Sequence, residues 1–341
     1  MSQTDRTLER LSFPVQYLEI GESLLRARGQ DVARYYELCG VANAAAIHPG
    51  QTINGLQFRR AMQLFLNVCE PRPAPLVQIL AHFPLTVHGP LGVLALASAT
   101  LGEALNAAVE YAPLVMPAFA IRREDHGTSV HLVFELRYDF APVNEIFTET
   151  VMGTFLKTRP FLTTMPESMQ MHFAHAPLGD AADYDLGEGI ELRFEAGLNQ
   201  IVLKARDLAI PLLAPSRTSR LLMQATLEQQ RQQQVDHHPT LHQVRRLLQQ
   251  ALHVGQPLEA AQVATSLNIS LRTLSRRLKG EGTTLPQLQA EVGVAFASLL
   301  LLESDRGIAE IARQAGFRDA TSFARAFKRL QGKTPSQFRG R

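Results

Sequence analysis

The last third of the chain carries one pattern of apolar and polar positions twice. Leu274 and Leu278 are four residues apart in the first copy, and Phe323 and Phe327 are four apart in the second. Residues at that spacing lie on one face of a helix, one turn above the other. Each copy is therefore predicted to end in an amphipathic helix that buries an apolar face and exposes a polar one.

The residues before this helix also match between the copies. Each copy has a small residue suited to a close helix crossing, then a turn residue that tolerates a positive φ angle, then a helix N-cap. These residues are Ala264, Asn268 and Ser270 in the first copy and Ala312, Gly316 and Asp319 in the second. The order predicts a helix-turn-helix at about residues 258–279 and another at about residues 307–329. The alternative interpretation is an ordinary helical hairpin with a solvated charged face. It accounts for one such copy but accounts poorly for two.

The exposed face of each second helix is polar and mostly basic. Arginine can bind guanine O6 and N7 with two hydrogen bonds in the major groove, and lysine neutralises phosphate. We therefore expect both helices to enter DNA grooves. The side chains on these faces are Arg272, Ser275, Arg276 and Lys279 in the first copy, and Thr321, Ala324, Arg325 and Lys328 in the second.

The repeated stretch resembles the DNA-binding domain of AraC/XylS-type transcription regulators. The second copy matches the family's most specific signature almost without gaps. The matching residues are Ile308, Ala309, Glu310, Ile311, Ala312, Gly316, Phe317, Ser322, Phe323, Arg325, Phe327, Lys328, Gly332 and residues 334–339. The resemblance implies an all-α domain with two helix-turn-helix units joined by one long helix, here residues 285–303. It also implies that the two recognition helices enter successive major grooves.

By position, the resemblance implies that a small set of side chains reaches the bases. In the first unit these are Arg272, Ser275 and Arg276, and in the second they are Ala320, Thr321, Ala324 and Arg325. Ala320 and Ala324 offer only methyl groups. We therefore hypothesise that the second unit reads less sequence and anchors mainly on phosphate.

Charge is divided unevenly along the chain. The 341 residues carry a net charge of only +2. From Asp236 onward, however, 15 Lys and Arg stand against 8 Asp and Glu, a net charge of +7, and the preceding residues carry −5. A basic C-terminal domain joined to a mildly acidic one is typical of a DNA-binding protein with a separate second module.

The N-terminal half mixes helical and strand patterns, which predicts an α+β domain. Two short helices are expected around residues 20–41, with a break near Gly29 and an N-cap at Asp31. Further helices are expected at residues 55–70, 101–111 and 143–161. Strands are expected at residues 118–122, 129–136, 169–173, 189–194 and 200–204.

This half is similar to the N-terminal domain often called arabinose-binding-like, which accompanies the same DNA-binding unit in one branch of the AraC-type regulators. The similarity lies in residues 88–92 and 99–101, and then in Tyr184, Gly187, residues 190–194, Asn199, Leu208, Pro211 and Leu212. It spans roughly residues 20–215 and implies an effector sensor that often also dimerises. Kinship of fold does not determine a ligand, so arabinose itself is not implied.

Residues 216–237 are expected to link a sensor and dimerisation domain of residues 1–215 to a DNA-binding domain of residues 238–341. The first part of this linker can form one or two amphipathic turns, whereas the glutamine-rich residues 229–234 lack an apolar stripe. His238 and Pro239 mark the start of the DNA-binding domain, because proline suits the first helical position. A helix at residues 241–252 is expected to support the first helix-turn-helix.

An enzymatic N-terminal half would need a catalytic or metal-binding set among its histidines and carboxylates. His172 and His175 are the most metal-like pair, but their odd spacing on an expected strand points the two rings to opposite faces. Glu103 is explained by a capping box that starts at Thr100. The motifs of serine hydrolases, nucleotide-binding loops and zinc proteases are not in the sequence. The remaining histidines without ligand-type spacing are His82, His88, His126 and His131. We expect no enzyme activity, no metal and no cofactor.

Two further features bear on the cellular compartment. Cys39 and Cys69 lie in apolar, helix-like segments without a CxxC pair, so we expect two buried thiols in a reducing cytosol. The N-terminal residues lack the apolar stretch of a signal peptide, and we expect no run of about 18 apolar residues that could span a membrane. A cytoplasmic protein is the expectation.

The sequence therefore predicts a sequence-specific DNA-binding regulator of transcription, with activation favoured by family habit alone. The expected partners are double-stranded DNA, RNA polymerase, a second copy of the chain and a small-molecule effector. Core packing is the favoured interpretation of the aromatic residues that could line an effector pocket, which are Phe58, Phe65, Tyr111 and Phe119. Three alternatives stay open: a regulator whose N-terminal half only dimerises, an architectural protein that reads DNA shape, and an enzyme fused to a DNA-binding tail.

Overall fold

The computed structural model describes residues 3–42, 50–237, 239–331 and 334–339. His238, Gly332 and the last two residues, which the predicted domain bounds and signature include, lie outside the described residues. The chain divides into two compact units, of which the first comprises residues 1–136 and 140–229 and the second comprises residues 137–139 and 230–341. All strands in the described ranges belong to the first unit. The predicted order of an α+β domain followed by an all-α domain is confirmed.

The first unit opens with short helices and a two-stranded antiparallel sheet. The bounds are α1 (Gln3–Leu8), β1 (Ser12–Pro14), α2 (Leu18–Ala27), α3 (Val32–Leu38), β2 (Thr52–Asn54), α4 (Gly55–Val68), α5 (Pro75–Ala81), α6 (Pro90–Ala97) and α7 (Leu101–Val115). The predicted break at Gly29 and cap at Asp31 are confirmed. Gly29 has a φ angle of +64°, and the Asp31 carboxylate accepts hydrogen bonds from the backbone N–H groups of Ala33 and Arg34.

A five-stranded sheet and one more helix complete this unit. The bounds are β3 (Phe119–His126), β4 (Ser129–Leu136), α8 (Asn144–Gly153), β5 (Met169–His172), β6 (Ile190–Arg193) and β7 (Asn199–Lys204). The strand order is β3-β4-β7-β5-β6, in which only β5 and β6 run parallel. Leu132, Ile201 and Met171 form one cross-strand row and are fully buried. This apolar face packs against α7 and α8, which is why alternate strand residues are apolar.

The predicted long helix at residues 143–161 is instead divided. It is α-helical to Gly153 and continues as a 3₁₀ helix from Thr154 to Phe161. The hydroxyls of Thr154 and Thr158 donate to the carbonyl oxygens three residues earlier, at 2.7 and 2.8 Å. Such side-chain hydrogen bonds compete with the regular helical ladder, and Pro160 cannot donate to it.

The capping box predicted at the start of α7 is only half formed. The Thr100 hydroxyl accepts a hydrogen bond from the backbone N–H of Glu103 at 3.2 Å. The Glu103 carboxylate, however, accepts from the N–H of Ala99 at 3.0 Å rather than from that of Thr100. The helix also runs four residues past its predicted end at Tyr111, because Pro113 is accommodated inside it.

The histidines occupy positions that their sequence spacing did not predict. His172 ends β5, so His175 lies beyond the strand, with its Nε2 atom 3.9 Å from Oε1 of the buried Glu149. Burial raises the pKa of Glu149 to about 8. On the polar face of the sheet, Gln200 lies within hydrogen-bond distance of both His131 and His172. Within the described ranges there is no group of three His, Cys, Asp or Glu side chains that could hold a metal ion.

The cysteines differ in their exposure. Cys39 is buried, as expected, but Cys69 is only half-buried because it lies at the C-terminal end of α4. Desolvation by burial raises the pKa of the Cys39 thiol to about 12 and that of the Cys69 thiol to about 11. Both side chains are therefore thiols at neutral pH.

The segment at residues 216–237 is one helix rather than one or two turns. α9 (Arg217–His237) carries the buried Leu227. Next to it, the Glu228 carboxylate accepts a hydrogen bond from the Tyr111 hydroxyl at 2.9 Å. Glu103 likewise pairs with Arg220. The first part of α9 therefore packs on the first unit.

The second unit is a chain of helices. Their bounds are α10 (Pro239–His253), α11 (Ala260–Ser266), α12 (Leu271–Gly280), α13 (Leu285–Glu303), α14 (Ile308–Gln314), α15 (Ala320–Gln331) and α16 (Pro335–Phe338). α13 is the helix that bears on the expected absence of a membrane span, although Gln287, Gln289 and Glu291 interrupt its apolar residues. Its residues Leu285–Leu302 are long and apolar enough to cross a membrane by length and composition alone. The helix instead supplies buried side chains to both hydrophobic cores of this unit, among them Leu288 and Leu301.

Candidate nucleic-acid interface

The first helix-turn-helix consists of α11 and α12. Asn268, in the turn, has a φ angle of +53°. The N–H of Ile269 donates back to the carbonyl oxygen of Ala264 at 3.1 Å, which closes the turn. The Ser270 hydroxyl then accepts a hydrogen bond from the N–H of Thr273 at 3.1 Å and caps α12. The turn and cap residues therefore act as their types predict.

The second helix-turn-helix, α14 and α15, repeats this geometry. Gly316 has a φ angle of +82°, and the N–H of Phe317 donates to the carbonyl oxygen of Ala312 at 2.9 Å. The Asp319 carboxylate accepts from the N–H of Ser322 at 2.7 Å. That backbone hydrogen bond lowers the pKa of Asp319, so the cap is ionised at neutral pH.

The first helix-turn-helix has an aliphatic core that includes the supporting helix α10. Its buried members are Val244, Leu248, Leu252, Val263, Ala264, Leu274, Leu278, Leu285, Leu288 and Val292. An ion pair between Arg245 and Glu291, at 2.9 Å, ties α10 to α13. The Glu281 carboxylate, just after α12, accepts hydrogen bonds from the N–H groups of Thr240 and Leu241 at the start of α10. α10 therefore holds the first helix-turn-helix in place, as predicted for residues 241–252.

The second helix-turn-helix has an aromatic core. Phe327 contacts Phe323 and Phe338 with ring centroids 5.3 and 5.1 Å apart, and the Phe317 ring lies 5.2 Å from that of Phe323. Pro335 is buried, and the Thr334 hydroxyl caps the short helix α16. Many of the residues that carry the family signature therefore build this core rather than face solvent.

The two helix-turn-helix motifs are joined by α13, which begins and ends where the sequence predicted. A Cβ atom at Gly293 would lie 2.5 Å from the carbonyl oxygen of Ala315, so only glycine permits this close crossing of α13 and α14. The 19 residues of α13 span roughly 28 Å at about 1.5 Å per residue. That length is comparable to one turn of DNA, about 34 Å.

The predicted face of α12 is exposed. Its members are Arg272, Ser275, Arg276 and Lys279. On α15, Thr321, Arg325 and Lys328 are exposed, whereas Ala320 and Ala324 are half-buried. Within the described ranges none of the Arg and Lys side chains on these two faces forms an ion pair, so their charges are available to a polyanion.

Comparison with known proteins gives the family of the chain. A family model described as the arabinose-binding domain of AraC transcription regulators matches residues 29–212, which is more than half of the chain. The chain belongs to the AraC family of transcription regulators. A second model, described as a helix-turn-helix domain, matches residues 263–341 of this AraC-type regulator.

Individual relatives are similar over different parts of the AraC-type chain. The ornithine utilization regulator of Pseudomonas aeruginosa is 27% identical over 96% of this chain and 96% of its own. The HTH-type transcriptional activator CfaD of Escherichia coli is 36% identical over 22% of this chain and 29% of its own. The crystal structure of the transcriptional regulator CdpR from P. aeruginosa covers 91% of this chain and 96% of its own, with 18% identity and a TM-score of 0.41.

Several exposed residues of the AraC-type units were absent from the sequence-based set. Leu271, the first residue of α12, is 51% exposed and lies one turn from Ser275. Its distance of three residues from the buried Leu274 suited a core position instead, so helical spacing alone could not identify it. Arg277, Arg318 and Arg329 are also exposed. They extend the positive charge beside each recognition helix. A plain count of arginines along these helices would have indicated Arg277 and Arg329, whereas Arg318 lies in the turn before α15.

Proposed function

We propose that this AraC-family regulator binds specific sequences in double-stranded DNA by placing α12 and α15 in successive major grooves. It thereby controls transcription by RNA polymerase, with activation as its main effect. The DNA-binding domain comprises residues 238–341, residues 216–237 link it to the first domain, and the protein works in the cytoplasm.

One observation carries this proposal. Two recognition helices with the same turn and cap geometry precede and follow one long helix. Each exposes basic side chains that form no ion pair with any residue that the structure describes. The helix between them is about as long as one turn of DNA. A solvated charged surface on an ordinary helical protein has no reason to repeat at that distance.

The roles of the exposed side chains follow from their chemistry. Arg272, Ser275 and Arg276 contact bases from α12, because arginine and serine offer donors to base edges in the major groove. Thr321 and Arg325 do so from α15, where Ala320 and Ala324 add only methyl contacts to thymine. Lys279 and Lys328 lie near the ends of their helices and neutralise phosphate.

The first unit controls this activity as a sensor, a dimerisation surface or both. Support comes from the match to the arabinose-binding domain of AraC regulators and from the full-length similarity to a regulator of ornithine utilization. A small-molecule effector changes DNA binding only if it binds two states of the protein with different affinities. A homodimer would place four recognition helices on one operator.

The proposal is tested by selecting duplexes from a random pool with the full-length protein. Binding to a selected duplex and to a random duplex is then compared at a fixed salt concentration. Specific binding is expected to be at least about 10³-fold tighter than non-specific binding, the usual lower limit for such regulators. Equal affinity for both duplexes would refute sequence-specific regulation and favour an architectural protein.

A further inference from the structure

The first unit contains an apolar cavity between α6, α7, β3 and the helical segment that follows α8. Its volume is about 60 Å³, several times the roughly 10–15 Å³ that one water molecule requires. Leu91, Met116 and Phe155 are among the side chains that line it. An engineered apolar cavity of about 150 Å³ in another protein stays dry and binds benzene.

The space exists because one face of α7 carries only small side chains. Ala104, Ala108 and Ala112 are spaced four residues apart, so they share one face of the helix, and all three line the cavity. Gly92 lines it from α6. A Cβ atom at Gly92 would lie 2.1 Å from the carbonyl oxygen of Leu85, so this glycine is required by the backbone packing.

The cavity lining is uncharged. It contains no Asp, Glu, Lys or Arg among the residues that the structure describes. Two of its polar groups, the Thr154 and Thr158 hydroxyls, already donate to carbonyl oxygens of their own helix. A ligand with a buried ammonium or carboxylate group would therefore remain without a partner, at a large cost in desolvation.

His88 is the remaining polar group, and it is held in place. Its ring lies 5.6 Å from that of Tyr17 and 5.4 Å from that of Phe83. The Tyr17 hydroxyl is 2.7 Å from His88 Nδ1, and Nδ1 is the hydroxyl's sole hydrogen-bond partner within the described ranges. Because Tyr17 is buried, its proton needs this acceptor. Nδ1 is then unprotonated, and the ring hydrogen lies on Nε2.

We infer that this cavity is the effector site, and that it takes a small neutral apolar molecule with one hydrogen-bond acceptor, such as a ketone, an aldehyde or an alcohol. The apolar body fills the space beside Ala104, Ala108 and Ala112. The acceptor atom accepts a hydrogen bond from the Nε2–H group of His88. This assignment rests on the proposed sensor function of the first unit.

The test is isothermal titration calorimetry of the full-length protein with two probes of similar shape, acetophenone and ethylbenzene. Acetophenone carries a carbonyl acceptor, and ethylbenzene does not. Saturable binding of both is expected, with acetophenone about 3- to 10-fold tighter because of one neutral hydrogen bond. L-Ornithine, which is charged, should not compete with either probe.

Two pairs of variants locate the site. Ala108→Leu fills the cavity and should abolish binding of both probes, whereas Ala225→Leu, a matched change at an exposed position of α9, should leave binding unchanged. His88→Phe should equalise the two affinities, and His88→Gln, which keeps an N–H donor, should retain the preference for acetophenone.

Three results would overturn the inference: no binding of either probe, wild-type binding by Ala108→Leu, or competition by L-ornithine. The same preparations are assayed for binding to a selected duplex. Loss of duplex specificity in the wild-type protein would refute the proposed function. Normal specificity with no probe binding would refute only the assignment of this cavity.

Discussion

The two helix-turn-helix units share a backbone plan but differ in both their core and their exposed face. The first is built around Leu274 and Leu278, whereas the second is built around Phe323 and Phe327. The first exposes Arg272 and Ser275, whereas the matching positions of the second carry Thr321 and the half-buried Ala324. The buried face thus determines the fold, and the exposed face is free to diverge. Two copies of one scaffold need not read DNA equally.

The largest expected effect concerns the cores. Phe327→Ala removes a fully buried ring and should cost roughly 3–5 kcal/mol of stability, because its aromatic neighbours cannot close the space. Hydrogen exchange measured by mass spectrometry should show faster exchange in α14 and α15 and little change in α11 and α12. The matched Leu278→Ala should show the reverse. Equal acceleration in both units would mean that they unfold as one.

The next effect concerns base recognition. Arg276→Ala should lower specific binding by about 1–3 kcal/mol and relax the preference at one base pair. Arg325→Ala, at the matching position of the second unit, should weaken binding with a smaller loss of preference. Quantitative binding to single-substitution duplexes measures both quantities. An unchanged base preference in Arg276→Ala would show that α12 does not lie in the groove as proposed.

A smaller effect separates the two helix caps. Ser270→Ala should cost about 1 kcal/mol, as for other N-caps. Asp319 differs because it titrates. Its folded-state pKa is lowered, so its contribution is complete above the ordinary aspartate pKa and is lost as the pH falls through the lowered value. In hydrogen-exchange measurements at successively lower pH, the amides of α15 should therefore lose protection at a higher pH than those of α12. Simultaneous loosening would contradict this difference.

The smallest effect concerns phosphate contacts. Lys328→Ala should weaken binding to all duplexes alike and reduce the slope of log affinity against log salt concentration by about one. Lys279→Ala is the matched change on α12. Titrations at several salt concentrations give the slope. A change confined to one duplex sequence would assign Lys328 to base contact instead.

The sequence predicted the structure of the C-terminal compact unit more accurately than that of the N-terminal one. α13 has the predicted bounds, and both turns and caps are formed by the predicted residues, because each feature is local and is repeated. In the first unit the errors are tertiary. Thr154 and Pro160 divide a helix whose apolar pattern continues, and Gln200 brings His131 and His172 together from separate strands. No spacing along the chain encodes such contacts.

The candidate interface shows the same limit. The exposed arginines follow from helical spacing, but the exposure of Leu271 depends on how α12 packs against α10 and α11. The close crossing at Gly293 is likewise a property of two helices in contact. The repeat predicted close helix crossings at Ala264 and Ala312, but it did not predict the one at Gly293, which lies outside both copies.

The most direct test of the unequal units is a base-by-base substitution of both half-sites in a selected duplex, with binding measured for each change. The difference in exposed faces predicts that one half-site, the one bound by α12, loses about 1–3 kcal/mol at several positions. The other half-site should tolerate most changes. Equal sensitivity in both half-sites would contradict the claim that the second helix-turn-helix mainly anchors the protein on phosphate.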